Sequence, residues 1–130
     1  MKTPKLKVGR GAVGLGLFAL EDIKKDHFII EYTGEKITTD EADLRGGKYL
    51  FTLNKKSVVD GKSRKNIARY INHSCRPNCE VEIDERKWTI NVYAKRNIKA
   101  GEELNYDYGK EYWGDHIKPY GCKCEKCSSR

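Results

Sequence analysis

Three observations make this chain a mostly β domain of short strands. Apolar and β-branched runs recur over 27–32, 49–53, 57–59, 80–83, 88–94 and 103–108, each bounded by turn residues. Helix signal is confined to two places. One is Thr38-Thr39-Asp40-Glu41, a capping-box-like start that runs to Arg45 and is stopped by Gly46-Gly47; the other is a single turn over 66–70. The three prolines, Pro4, Pro77 and Pro119, lie far apart, and no linker-like or low-complexity stretch divides the 130 residues, which fit one domain with a small core.

The first element to justify is the glycine-rich "VGRGAVGLGLFAL". Gly9, Gly11 and Gly14 match the dinucleotide fingerprint G-x-G-x-x-G by spacing. That fingerprint requires a helix to open at the last glycine, with the pyrophosphate at its N-terminus. Here Leu15 to Leu20 lead instead into a charged turn at Glu21-Asp22-Ile23-Lys24. This speaks against a Rossmann hydride-transfer site, and the glycines indicate close backbone approach to another strand or to a ligand.

Next comes an internal echo. "ALEDIKKDHFIIEYTG" and "AKRNIKAGEELNYDYG" share an alanine, an Asp/Asn-Ile-Lys turn and a final glycine at identical spacing. This predicts two similar turn-plus-strand units, each delivering a tyrosine near its end, Tyr32 and Tyr108. Between them, Asp84-Glu85-Arg86 marks the clearest hairpin.

Composition bounds the function classes. No apolar stretch approaches the roughly 20 residues that span a bilayer, and residues 1–11 carry lysines without a signal-like apolar core. We therefore expect an intracellular, reducing setting and no membrane partner. The glycosylation pattern at Asn72-His73-Ser74 then carries no meaning, and the five cysteines suit metal or free thiols better than disulfides. The formal charge of +7 is compatible with an acidic partner, including nucleic acid, but equally with a solvated surface.

The strongest spacing signal is Cys122-Lys123-Cys124-Glu125-Lys126-Cys127. Residues i and i+2 of an extended segment face one side and a turn can bring in i+3, so three thiolates can converge on one tetrahedral zinc ion. A closed site needs a fourth ligand, with Cys75, Cys79 or a histidine as candidates. Metal binding would then couple the order of the tail to the middle of the chain.

"RYINHSCRPNC" over 69–79, "GEELNYDYG" over 101–109 and the C-x-C-x-x-C tail together closely resemble the SET-domain protein lysine methyltransferases. "GLGLFAL", "EYTGE" and "YLFTLNKKSVVDG" extend the resemblance in family order over about residues 8–127. It implies a SET fold of short β-sheets with a knot-like C-terminal segment, a core over 1–110 and a post-SET segment over 111–130. It also implies S-adenosylmethionine as cofactor and a lysine-bearing protein, a histone tail or another basic protein, as substrate. Nucleic-acid contact is not required. By the same resemblance, Val13, Gly14, Leu15, Gly16 and Leu17 form a loop over the cofactor. Tyr49, Arg69, Asn72 and His73 make further cofactor contacts. Cys75 joins Cys122, Cys124 and Cys127 on zinc, leaving Cys79 as a non-ligand thiol. Tyr108 falls at the catalytic tyrosine, Tyr32 lines the lysine channel, and Tyr106 stands where the family carries Tyr or Phe. Trp113 is given no role.

The chemistry is consistent with so few acid–base groups. Free lysine has a pKa near 10.4, so only about 0.04% is neutral at pH 7. A dry channel and a nearby sulfonium charge both disfavour the ammonium form. Alignment and electrostatics can then replace a strong base. A second phenol at Tyr106 would crowd a methylated lysine, so the expected product is mainly monomethyl-lysine. Asp40, Glu41 and Asp43 offer an acidic groove for a basic substrate. The competing reading is a non-catalytic module of the same fold that binds peptide or nucleic acid. A third, a small zinc-based nucleic-acid binder, is weakened because only three cysteines are local.

Overall fold

A computed structural model describes residues 3–11, 14–47 and 49–108. Val13, Trp113, Cys122, Cys124 and Cys127, with the whole of 111–130, lie outside the described residues. The order is β1 (Leu6–Gly11), β2 (Gly14–Ala19), β3 (Phe28–Tyr32), β4 (Glu35–Thr38), α1 (Thr39–Arg45), β5 (Leu50–Thr52) and β6 (Ser57–Asp60). A 3₁₀ turn (Ile67–Tyr70), β7 (Asn72–His73), β8 (Cys79–Asp84), β9 (Thr89–Ala94) and β10 (Asn105–Tyr106) follow.

The mostly β expectation holds, and the strands form four small sheets. β1 and β2 are an antiparallel hairpin, β3-β9-β8 and β4-β6-β5 are three-stranded, and β10 lies parallel to β7. The hairpin predicted at Asp84-Glu85-Arg86 joins β8 to β9. The helix starts where expected, with the Thr38 hydroxyl accepting from the Glu41 N–H at 3.1 Å, and ends at Gly46. Four strands were not foreseen, namely β1, β2, β4 and β7. The predicted strand over 103–108 is regular only at Asn105–Tyr106.

The internal echo pairs with itself. Ile23 and Ile98 exchange both backbone hydrogen bonds, at 2.8 and 2.7 Å. Asp26 N–H donates to the Ala94 carbonyl, as Gly101 N–H does to Ala19; Ala19 N–H donates to Glu102, as Ala94 N–H does to His27. The Lys25 and Ala100 amides donate to the side chains of Asn97 and Asp22. Each relation maps onto the other by the same offset of 75 residues between the two segments, so the two turns form a pseudo-two-fold clasp. Ala19, Ile23, Ile29 and their counterparts Ala94, Ile98 and Leu104 are all buried in the main core with Leu17, Ile71, Ile90 and Val92.

Candidate active site

The core floor carries an aromatic row. Tyr32 of β3 meets Phe51 of β5 at 5.3 Å between ring centroids, and Phe51 meets Tyr106 of β10 at 6.5 Å. Tyr106 lies 4.9 Å from Tyr108, which is 5.3 Å from His73. Tyr32, Tyr106 and Tyr108 are thus brought into one cluster. Phe51 joins them, although its run in the sequence reads as ordinary strand packing.

Two of these phenols have committed protons. Tyr32 donates to the Tyr49 carbonyl at 2.7 Å, and Tyr108 donates to the Ile71 carbonyl. A hydroxyl that gives its proton to a backbone carbonyl presents its remaining lone pairs as an acceptor.

The segment 69–79 is locked beside this row. β7 pairs Asn72 with Asn105 and His73 with Tyr106. Asn78, almost fully buried, exchanges bonds with Asn105: each backbone N–H donates at 2.9 Å to the other's side-chain oxygen. Asn78 Nδ2 also reaches the Glu103 carbonyl at 2.8 Å. A two-residue parallel pair is weak by itself, and this asparagine clasp is what fixes its register.

His73 Nδ1 accepts from the Tyr108 N–H at 3.1 Å, so that nitrogen carries no proton and Nε2 does. Burial holds the His73 pKa below its ordinary value, against the opposing charge of Asp107. Nε2 lies 3.6 Å from Cys75 Sγ. Cys75 is exposed, whereas Cys79 is fully buried. The Cys79 thiol donates to Asn78 Oδ1, and burial pushes its pKa up to about 12. The remaining expected zinc ligands lie outside the described residues.

Two of the glycines, Gly11 and Gly16, face a carboxylate. A Cβ on Gly11 would lie 2.3 Å from Glu103 Oε1, and one on Gly16 would lie 2.4 Å from Oε2. Asn72 Nδ2 bridges Oε2 and the Leu15 carbonyl, each at 2.9 Å. Leu15, Gly16 and Asn72 therefore meet at one place, with Gly14 at the hairpin's end, whereas Leu17 is fully buried in the main core. The Arg69 guanidinium stacks on Tyr49 at 4.4 Å and Tyr70 at 4.9 Å and donates to the Lys62 carbonyl. Its buried Nε has no hydrogen-bond partner.

The expected acidic groove is partly neutralised. Arg45 pairs with Glu41 at 2.8 Å, Glu35 at 2.9 Å and the buried Asp60 at 3.1 Å, which engages Glu41 at the α1–β4–β6 junction.

The SET domain family profile matches residues 14–109. The chain is 44% identical over 125 residues to the Drosophila melanogaster protein named histone-lysine N-methyltransferase trr, covering 88% of this chain and 5% of that one. It is 44% identical over 124 residues to an H3 lysine-4 specific histone-lysine N-methyltransferase of Schizosaccharomyces pombe, covering 87% and 13%. A chain in the crystal structure of the polycomb repressive complex 2 of Chaetomium thermophilum superposes with a TM-score of 0.77 at 39% identity, covering 84% of this chain and 16% of that one. This chain thus spans a small fraction of each of these proteins.

Proposed function

The chain belongs to the SET domain family, and from that premise we propose that it transfers a methyl group from S-adenosylmethionine to a protein lysine, mainly once, with a histone tail as substrate. The observation that carries the reading is the aromatic row. Tyr32 and Tyr108 commit their protons to backbone carbonyls, and Tyr106 lies between Phe51 and Tyr108, beside the Asn72–His73 strand. The names of the relatives support the histone, and the completeness of the tyrosine set argues against the non-catalytic module.

The residues present fit such a cofactor. The buried Arg69 Nε is a donor without a hydrogen-bond partner, and the Leu15 carbonyl is held in place by the Asn72 amide on a glycine-rich hairpin. When bound, the cofactor supplies an electrophilic methyl on a sulfonium. Leu15, Gly16, Leu17, Asn72 and His73 would hold its amino-acid end, with Tyr49 and Arg69 nearby and Val13 completing the loop.

The chain's own contribution is alignment. Tyr108 and Tyr32 offer phenolic oxygens as acceptors, which orient an amine and stabilise positive charge at the methyl group. The apolar ring faces exclude water, so the lysine ammonium is disfavoured and the neutral amine becomes accessible. Tyr106 adds a second phenol that leaves less room for a methylated nitrogen.

A zinc site of Cys75, Cys122, Cys124 and Cys127 fits the donor chemistry of a closed structural centre. It would tie the post-SET segment to the end of β7.

The test is mass spectrometry of core histones incubated with labelled S-adenosylmethionine, with Tyr108→Phe and Tyr106→Phe in parallel, and metal quantification of the same protein. Label on lysine that is lost in Tyr108→Phe supports the enzyme. A shift toward di- and trimethyl-lysine in Tyr106→Phe supports the product assignment, and an unchanged product distribution refutes it. Cofactor binding without transfer to any histone would favour the binding module.

A further inference from the structure

We propose that Glu103 is a positioning residue for the cofactor pocket, fixing the orientation of the Asn72 amide and, through it, the Leu15 carbonyl; the inference rests on the cofactor reading above. Three observations converge on it.

The first is donor arithmetic. An amide nitrogen has two protons, and Asn72 Nδ2 spends them on Glu103 Oε2 and Leu15 O, both at 2.9 Å. Rotating the amide by half a turn would set its oxygen against a carboxylate and a carbonyl, so one orientation is enforced. Oδ1 is then the end left to accept from a cationic ligand group.

The second is space. Gly11 and Gly16 have no side chain where the Glu103 carboxylate lies, and a Cβ at either would displace the carboxylate from its present place beside Asn72. Two strand glycines, each weakening its strand, are used to admit one carboxylate under the hairpin.

The third is the broken symmetry of the clasp. Glu103 bridges to Phe18 as its counterpart Phe28 pairs with Tyr93. In the first unit that position holds a ring, edge-on to Tyr93 at 5.9 Å. In the second it holds a carboxylate, although the preceding turns exchange matched backbone hydrogen bonds. Packing alone would be served by phenylalanine, and local rules are broken most often at functional positions.

Because Glu103 acts through Asn72, its loss should weaken the cofactor and spare the chemistry. The test is calorimetric titration of S-adenosylhomocysteine into the parent, Glu103→Gln and Glu103→Ala, with urea unfolding of each free protein as control. Glu103→Gln retains an acceptor for Asn72 without the charge and should bind three- to fivefold more weakly. Glu103→Ala should bind at least tenfold more weakly. With core histones, the loss should appear in the KM for S-adenosylmethionine, with kcat at saturating cofactor within threefold of the parent.

Equal affinity of the parent and both variants would overturn the inference, as would a fall in kcat matching the fall in affinity. If Glu103→Ala does not fold, Glu103→Gln decides by the same criterion. No binding by the parent would instead refute the cofactor reading.

Discussion

Gly61→Ala isolates how tightly the site is held. Gly61 is buried and its φ lies outside the left-handed region, so alanine meets no backbone penalty there. The added Cβ would instead lie 2.4 Å from Tyr32 Cε1, 2.6 Å from Tyr32 Cζ and 2.5 Å from Asn66 Nδ2. Carbon atoms settle about 3.5 Å apart, so the Tyr32 ring must retreat by roughly 1 Å. That retreat stretches the Tyr32–Tyr49 hydrogen bond, now 2.7 Å, and disturbs the 3.1 Å bond from Asn66 Nδ2 to the Gly61 carbonyl. Overpacking costs about 1–3 kcal/mol and each weakened bond about 1 kcal/mol, giving roughly 3–5 kcal/mol in all. Urea unfolding followed by fluorescence should show a midpoint lower by about 1–5 M, from a slope of about 1–3 kcal/mol per M. Replacing Tyr32 with leucine in the Gly61→Ala background should recover about 1–2 kcal/mol relative to additivity. A loss below about 1 kcal/mol, or strict additivity, would show that Tyr32 is not clamped there.

Three further outcomes follow from the packing. Gly101 has φ 94 where its pseudo-equivalent Asp26 has φ 70, so Gly101→Asp should lower stability by about 1 kcal/mol and Gly101→Val by at least 2 in thermal unfolding; equal effects would count against the shared turn. Glu102 is held below the ordinary carboxylate range, chiefly by its hydrogen bond to Arg96. A depressed carboxylate stabilises above its unfolded pKa and loses that contribution as pH falls through the folded value. The thermal midpoint of Glu102→Gln should accordingly trail the parent by a constant amount above about pH 5 and converge with it below; a gap that persists in acid would refute the pairing. Cys79, with its thiol pushed up to about 12 by burial, should resist iodoacetamide at pH 8 in the native protein and react only on unfolding, as read by mass spectrometry.

What the sequence made legible was what depends on neighbours in the chain. The cap at Thr38, the helix stop at Gly46 and the hairpin at 84–86 are set by turn and capping chemistry within a few residues. The tyrosines and the 69–79 segment were legible through family resemblance, and the fold brings Tyr32, Tyr106 and Tyr108 together. What stayed hidden was long-range. β1 and β2 have an irregular burial pattern because Gly9, Gly11, Gly14 and Gly16 interrupt it, so the alternation that marks a strand is absent. What two of those glycines face, a carboxylate from residue 103, lies about 90 positions away. Likewise Phe51 acquires its place only when β5 is set between Tyr32 and Tyr106.

The clasp shows how a repeated segment can build an unrepeated site. Up to Ile29 and Leu104 the two units run alike, burying matched residues and exchanging matched hydrogen bonds. Beyond that point the first continues as β3, paired with β9 for the length of an ordinary strand. Among the described residues, the second has no further antiparallel partner and pairs with β7 over two residues in parallel. A strand with so few ladder bonds needs side chains to hold it, and the reciprocal Asn78–Asn105 bonds provide them. The divergence also turns Tyr106 and Tyr108 toward the ring of Tyr32's neighbour Phe51 and the imidazole of His73. Had the second unit followed the first, Tyr106 and Tyr108 would lie in a regular sheet beside β2. Because it does not, their rings pack across the end of β7, where Asn72, His73 and the exposed Cys75 also stand.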